Sequence, residues 1–279
     1  MIKIDTILFK KMISHARLVA RNESEYGMIE IAPDGIHIRM SLNDRVVGFH
    51  SIIPSDAYTI IDAVNVLPAK IYLDFEALDL ILDSYNSFSS ITIDFLHEST
   101  SVGIGYLVLR AKSLGGDGFN DRLRFECKLK ESSKLYHSKK YGHIIDINKF
   151  INQSICLDIS LKQFIDGVSL FHHNNCNKIY VNFASFGEKF LSLRSALDSE
   201  FPVVKLKFDM VILEEPSCVG EVASHYDVDL LWRILNPIYG FDPHAKLYVG
   251  SNTPLILKAT SKHRDSKMEI TAIIAPLIS

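Results

Sequence analysis

The amino-acid sequence predicts an α+β fold built from two similar halves. Amphipathic helical runs recur along the chain, and alternating apolar and polar residues, typical of strands, fill the segments between them. Both patterns repeat at a separation of about 153 residues. Apolar residues at helical spacing indicate helices, whereas strict alternation indicates half-buried strands. Because only two copies are present, the repeat indicates a duplicated domain and not a solenoid.

The helical runs begin at matching places in the two halves. Asp5 and Asp158 each open the first run of a half, and Asp74 and Asp227 each open the second. The members of each pair are 153 residues apart. The apolar positions that follow Asp74 recur at the same shift after Asp227, so we expect two equivalent helices in each half.

The strand signals repeat in the same way. Residues 30–38 and 181–193 each predict two strands joined by a turn, and the turn glycines Gly35 and Gly187 are 152 residues apart. Gly, Asn, Ser and Pro bound these runs, as expected for strands joined by turns. A further strand pair follows the second helix of each half: 91–96 with 107–112, and 247–250 with 255–259.

A segment between the halves interrupts the pattern. Residues 128–154 carry several lysines among Ser, Tyr and His, followed by an apolar cluster at Ile144, Ile145 and Ile147. This composition favours an exposed connector. The predicted organisation is an N-terminal domain at 1–128, a connector at 129–154 and a C-terminal domain at 155–279.

The bulk composition is that of a globular protein, with 47% hydrophobic and 23% charged residues. The formal net charge of −3 neither supports nor excludes nucleic-acid binding, because such binding depends on the local distribution of charge. No run approaches the roughly 20 apolar residues of a membrane span, and the N-terminus lacks the apolar core of a signal peptide. We therefore expect an intracellular, soluble protein, nuclear if eukaryotic and otherwise cytoplasmic.

The sequence offers no convincing catalytic or metal-binding motif. Its four cysteines form no CxxC pair or zinc-ligand spacing, so we expect reduced thiols, no metal and no cofactor. The GxxxxGK[ST], GxSxG and HExxH motifs are all missing from it. His172 and His173 beside Cys176 have no further ligand cluster in the sequence. We predict that the protein is not an enzyme; an α+β hydrolase or nucleotide-modifying enzyme on an unrelated fold is the alternative of another class.

Segments near both ends of the chain resemble a known family. The segment from Leu8-Phe9-Lys10-Lys11-Met12 to Arg17, the segment from Gly35 to Met40 and on to Val46, Thr253-Pro254-Leu255, and the Ala275-Pro276 tail carry this resemblance. In this order and spacing, the chain resembles the sliding clamps typified by proliferating cell nuclear antigen and its archaeal relatives. The resemblance runs nearly the whole length of the sequence.

The resemblance implies the processivity fold, in which helices line a ring of three subunits and antiparallel sheets lie outside. It implies a processivity factor that encircles double-stranded DNA, independent of sequence, and tethers proteins of DNA replication and DNA repair. The implied partners are DNA polymerase, a clamp loader and other clamp-binding peptides. A homotrimer, a heterotrimer, a subunit of a heteromeric DNA-damage checkpoint clamp and a monomeric viral-type processivity factor all remain open.

A clamp requires cations in its hole, because duplex DNA carries one negative charge per ~1.7 Å of its axis and must be held through phosphate. The resemblance implies the following DNA-binding residues on the helices: Lys10, Lys11, Arg17, Arg21, Lys162 and Arg233. The second helical run instead carries Asp74, Glu76, Asp79 and Asp83 and no basic residue. We therefore expect a less basic lining than is usual in the family.

The resemblance also places a partner-peptide groove. By position, its residues are Met40, Val46, Ile144, Ile145, Pro254, Ile273, Ala275 and Pro276. An apolar pocket beside a sheet edge suits an extended peptide, although Met40 and Ile273 fit an ordinary core equally well. For ring closure, the family's strand pairing implies residues 106–112 of one subunit against 189–195 of the next.

Overall fold

The computed structural model describes residues 1–19, 26–42, 47–61, 70–97, 104–112, 120–128, 147–184, 190–195, 203–206, 222–263 and 265–277. Within them the chain forms α-helices and antiparallel strand pairs, as predicted for an α+β protein. The chain divides into two compact units. Unit 1 comprises Met1–Ser41, His50–Gly142 and Lys262–Glu269; unit 2 comprises Leu42–Phe49, His143–Ser261 and Ile270–Ser279.

Unit 1 is built on one sheet and two helices. In chain order its elements are β1 (Ile2–Asp5), α1 (Thr6–Val19), β2 (Tyr26–Ala32), β3 (Gly35–Leu42), β4 (Val47–Pro54, from His50 onward), β5 (Tyr58–Ile60), β6 (Lys70–Asp74), α2 (Phe75–Ser84), β7 (Ser90–His97), β8 (Ile104–Lys112) and β9 (Asn120–Lys128). The strand order is β4-β3-β2-β6-β9-β8-β7-β1-β5. Helices α1 and α2 pack against each other and contact β1, β6 and β7.

Unit 2 repeats this plan with a helix pair and strands on two sheet segments. Its elements are α3 (Ile147–Ile151), β10 (Ile155–Ser160), α4 (Leu161–His173), β11 (Lys178–Ala184), β12 (Phe190–Ser195), β13 (Val204–Leu206), β14 (Val222–Asp227), α5 (Val228–Leu235), β15 (His244–Val249), β16 (Leu255–His263, of which the part up to Ser261 belongs to this unit) and β17 (Ser266–Ile274, of which the part from Ile270 onward belongs to this unit). One segment has the order β10-β15-β16-β17, and the other is a four-stranded sheet with the order β13-β12-β11-β14.

Polar side chains at each strand-to-helix junction fix where the helices begin. The Asp74 carboxylate accepts hydrogen bonds from two backbone N–H groups of α2 at 2.8 and 3.0 Å, and Asp227 accepts one from α5 at 3.0 Å. Asp5 and Ser160 accept in the same way at α1 and α4. Such caps satisfy N–H groups that have no partner inside the helix. The predicted helix starts after Asp74 and Asp227 are confirmed, 153 residues apart.

Apolar packing holds the helices on the sheets. In unit 1, α1 buries Leu8, Phe9, Met12 and Ile13 almost completely. Full burial of a side chain of this size contributes about 1.5–3 kcal/mol.

Among the described residues, no helix is both long enough and apolar enough to cross a lipid bilayer.

The predicted hairpins are confirmed, but the predicted edge strands are wrong. Strand β2 pairs with β3, β7 with β8, and β15 with β16. However, β8 is bonded to both β7 and β9, and β12 is bonded to both β11 and β13. A strand paired on both sides has no row of N–H and C=O groups left for a neighbouring subunit. Residues 106–112 therefore have no free edge for another subunit, and within the described residues 190–195 the pairing of β12 with β13 occupies Leu191–Leu193.

Several strands keep a largely open side among the described residues: β5, β10, β13 and β14 at the ends of the sheet orders, and β9. Strand β13 ends the four-stranded sheet. Strand β9 pairs with β8 along its length, but with β6 only at Tyr72 and Lys128. Residues 129–146 of the predicted connector lie outside the described residues, and α3 occupies part of its remainder. The domain limits at 128 and 154 stay predictions.

Candidate functional site

The helix pair of unit 1 brings the basic residues of α1 against acidic residues of α2. Lys10 forms an ion pair with Asp83, and its Nζ also donates to Asn86 Oδ1 at 3.2 Å. Lys10 is partly exposed and Asp83 is exposed. The hydrogen bond from Lys10 lowers the pKa of the Asp83 carboxyl below its ordinary value. Lys10 therefore already has an anionic partner within its own chain.

Arg17 is held more firmly than Lys10. Its Nη1 donates to Asp79 Oδ2 at 2.7 Å, while Ser14 Oγ donates to the other oxygen of the same carboxylate. Glu76 lies 3.7 Å from the guanidinium. The Asp79 side chain is only 8% exposed, and its hydrogen bond raises the pKa of Arg17. Because a buried carboxylate is costly without partners, Asp79 holds Arg17 and Ser14 in place.

Lys11 lies off the stripe formed by Lys10 and Arg17. Burial lowers the pKa of its ammonium group. One turn further along α1, His15 is buried, and its pKa falls to about 4, first because of burial and second because of the Lys11 charge. Lys11 therefore lies near the buried side of α1, which the adjacency of positions 10 and 11 in the sequence does not reveal.

The helix pair of unit 2 carries an aromatic cluster where cations were expected. The His172 and Trp232 rings stack with centroids 5.2 Å apart, and His173 meets Trp232 edge-on at 5.9 Å. His172 Nε2 lies 3.4 Å from Asp229. The predicted cations are Lys162, which is exposed on α4, and Arg233, which is half-buried on α5. Sequence reasoning missed Trp232; its position on the exposed side of an amphipathic run was the available signal.

In unit 2, strand β14 anchors two of the predicted partner-binding segments. The buried Tyr226 hydroxyl donates to the Thr253 carbonyl at 3.0 Å, next to Pro254. Burial raises the pKa of this hydroxyl, so Tyr226 stays a donor at physiological pH. The C-terminal tail is fixed by a hydrogen bond from the Leu277 N–H to the His225 carbonyl at 2.8 Å. Pro254 and the Ala275-Pro276 tail are thus both tied to the same strand.

Solved structures share this architecture over their whole length. The chain matches PCNA from Thermococcus kodakaraensis with a TM-score of 0.64 and 16% identity, covering 99% of this chain and 100% of that one. It matches A. fulgidus PCNA bound to the C-terminal region of FEN-1 with a TM-score of 0.67 and 16% identity, covering 100% and 99%. The chain has the PCNA-type sliding clamp fold.

A third clamp structure adds to this likeness, whereas sequence comparisons add nothing. The PCNA2-PCNA3 complex from Sulfolobus tokodaii matches with a TM-score of 0.62 and 15% identity, covering 99% of both chains. No family model and no curated protein matches the sequence. The fold prediction of duplicated clamp domains with antiparallel sheets is confirmed, while the roles of individual residues stay predictions.

Within the clamp fold, the predicted partner-peptide residues differ in their exposure. Met40 in unit 1 and Pro254 and Ile273 in unit 2 are buried, whereas Ala275 and Pro276 are partly exposed. The Ile273 side chain lies close to Gly48 in β4: a Cβ atom built on Gly48 would be 3.9 Å from the Cδ1 atom of Ile273. Among the predicted partner-peptide residues that the structure describes, the exposed part is therefore the tail. The remaining predicted residues lie outside the described residues: Val46, Ile144, Ile145 and the DNA-binding candidate Arg21.

A histidine pair joins β3, the strand that carries Met40, to β4: His37 lies on β3 and His50 on β4. His37 Nε2 lies 2.9 Å from Asp34, and its Nδ1 lies 3.0 Å from His50 Nε2. His37 thus bridges the Asp34 carboxylate and the His50 ring. Burial lowers the pKa of His50 to about 3, with smaller contributions from Arg39 and His37. In the part of the chain that the structure describes, no three His, Cys, Asp or Glu side chains are arranged to hold a metal ion.

Proposed function

We propose that this chain is a subunit of a ring-forming sliding clamp that encircles double-stranded DNA without regard to sequence. In this role it has no catalytic activity and tethers a polymerase and other replication and repair proteins to DNA. The observation that carries the proposal is the correspondence of fold with PCNA structures over essentially the whole chain. Each unit also supplies the helix pair that such a ring needs as its lining.

Ring closure, in this proposal, pairs β9 of one subunit with β13 of the next. Both strands have a side that is largely open among the described residues. Open strand edges are templates for further pairing, and a closed ring removes them. Because β9 belongs to unit 1 and β13 to unit 2, the contact is head-to-tail and generates a closed ring if the rotation is right.

Partner proteins would dock along the C-terminal tail of unit 2. The tail is fixed to β14 at one backbone position, and Ala275 and Pro276 remain partly exposed beside it. Extended peptides gain affinity from main-chain pairing and specificity from apolar pockets. Of the similar structures, the A. fulgidus PCNA was solved with the C-terminal region of FEN-1 bound. We propose that this chain receives clamp-binding peptides, and its clamp loader, in a comparable way.

The charge of the helices favours a heteromeric ring as the second candidate. Lys10 and Arg17 are paired with α2 carboxylates, and unit 2 adds only Lys162 and Arg233 to the expected lining. A ring of three identical subunits would therefore hold phosphate weakly. Subunits with more basic helices would compensate, as in a heterotrimeric clamp of the DNA-damage checkpoint type.

Native mass by light scattering is the first test of this proposal. A mass near three times 31.5 kDa would support a homotrimer. A monomer that assembles only with other clamp subunits would support the heteromeric form. The resulting assembly, with its loader, should be retained on closed circular DNA and lost once that DNA is linearised. Equal retention on circular and linear DNA would contradict encirclement.

A further inference from the structure

The acidic residues of α2 face the basic residues of α1 as charge partners. The two helices carry equal and opposite charge, with Lys10, Lys11 and Arg17 on α1 and Glu76, Asp79 and Asp83 on α2. Of the three cations, Lys10 and Arg17 are directly paired with these carboxylates. The most exposed large apolar side chains of the pair are Ile7 and Leu80, at 63% and 58% exposure, and they offer nothing to a phosphate.

We propose that α2 limits the affinity of this chain for DNA, because its carboxylates occupy the α1 cations that would otherwise contact phosphate. The inference rests on the proposed clamp function and identifies the residues that determine its affinity for DNA. A cation already paired with a carboxylate gains less from a phosphate, since it must give up its partner. Each phosphate contact that is lost also removes about 0.9 from the slope of log affinity against log salt.

The two pairs differ in how easily DNA can exchange them. Asp83 is exposed, so Lys10 can leave it for a phosphate while water solvates the carboxylate. Asp79 is nearly buried and uses both oxygens, one for Arg17 and one for Ser14. Moving Arg17 to a phosphate would leave a buried charge without its partner, which is strongly unfavourable. Lys10 is therefore an exchangeable contact, whereas Arg17 is withheld from DNA.

The test measures binding of a short fluorescent DNA duplex by anisotropy over a range of salt concentrations. The variant Asp79→Asn with Asp83→Asn should bind about tenfold more tightly at low salt, and its salt slope should steepen by up to about 1.8. The matched control is Asp56→Asn with Asp265→Asn, which changes net charge equally at exposed positions of unit 1 outside the two helices. This control variant should gain little affinity for the DNA duplex.

Two further variants keep the result interpretable. Asp83→Asn alone changes an exposed residue, so it tests the Lys10 part of the inference even if the buried Asp79 site does not tolerate Asn. Adding Lys10→Glu and Arg17→Glu to the double variant should abolish the gain in DNA affinity, because the two α1 cations that would make the new phosphate contacts are then absent. The inference is overturned if the double variant and the control change alike, or if neither wild type nor variant binds the duplex at low salt.

The outcome is separable from that of the proposed function. A short duplex with free ends reports only the affinity of the surface, whereas encirclement is judged by retention on closed circular DNA. A gain on the short duplex without circular retention would support the role of α2 and contradict the clamp. Circular retention without the gain would support the clamp and contradict the role of α2.

Discussion

At the scale of single residues, the buried His15 makes the stability of the protein sensitive to acid. Its pKa in the folded protein is about 4, below the ordinary value of 6.5, mainly because burial disfavours the charged ring. Between these two pH values the unfolded chain binds more protons than the folded one. His15 alone should therefore lower the unfolding free energy by about 1.4 kcal/mol per pH unit as pH drops from 6.5 to about 4.

This prediction is checked by urea unfolding at several pH values. The variant His15→Leu should lose this component of the pH slope, whatever its absolute stability. His244→Gln, at an exposed histidine, is the matched control and should retain the slope. An unchanged slope in the His15 variant would show that other groups control the acid sensitivity. His50, whose pKa is also lowered by burial, is the first candidate for such a group.

The sequence could identify the cations of α1 but not their state in the folded chain. Lys10, Arg17 and the acidic run after Asp74 were all predictable, because they depend on residue type and on a resemblance. The ion pairs join residues 73 and 62 positions apart, so no local pattern specifies them. The same reason hid the stacking of Trp232 on His172, which depends on the packing of α4 against α5.

At the scale of elements, the two capping aspartates should contribute comparably to stability, because they occupy equivalent junctions. Asp74 caps α2 and Asp227 caps α5 through carboxylate oxygens. Replacing either by alanine should lower the unfolding free energy by about 1 kcal/mol. Chemical denaturation measures this change. Asp56→Ala is the control, since Asp56 is exposed and the short helix at Ser55–Ala57 has no side-chain cap.

A much larger loss in one half only would contradict this equivalence. It would mean that the junction in that half has a role beyond capping, or that the two units differ in their contribution to the measured transition. A loss no greater than that of Asp56→Ala would show that water or neighbouring groups replace the carboxylate.

Element boundaries were predictable because their determinants are local. Capping residues and apolar spacing set where α2 and α5 begin, and the duplication presents the same signals twice. Which strands form edges was not predictable in this way. Residues 106–112 indicate a strand in the sequence, but nothing local shows whether it lies at an edge; β8 has neighbours on both sides because β9 returns along it. Pairing partners distant in sequence decide that outcome.

At the scale of the whole molecule, assembly should depend on the β13 edge and not on the edge at β5. Val203, next to β13, is 42% exposed, and Ile60 in the edge strand β5 is 47% exposed. An aspartate substituted at either position should leave the fold intact, because both side chains are already exposed. In the proposed ring, however, the Val203→Asp substitution would place a carboxylate in a subunit contact, where an unpaired charge is costly.

Sedimentation over a range of concentrations then distinguishes the two edges. Val203→Asp should weaken ring assembly about tenfold or more, equivalent to at least about 1.4 kcal/mol, whereas Ile60→Asp should assemble like the wild type. If the wild type assembles only with other clamp subunits, the same comparison applies to the heteromeric ring. Dissociation caused by Ile60→Asp and not by Val203→Asp would place the subunit contact at β5, because only a side chain buried in the assembly makes such a charge costly.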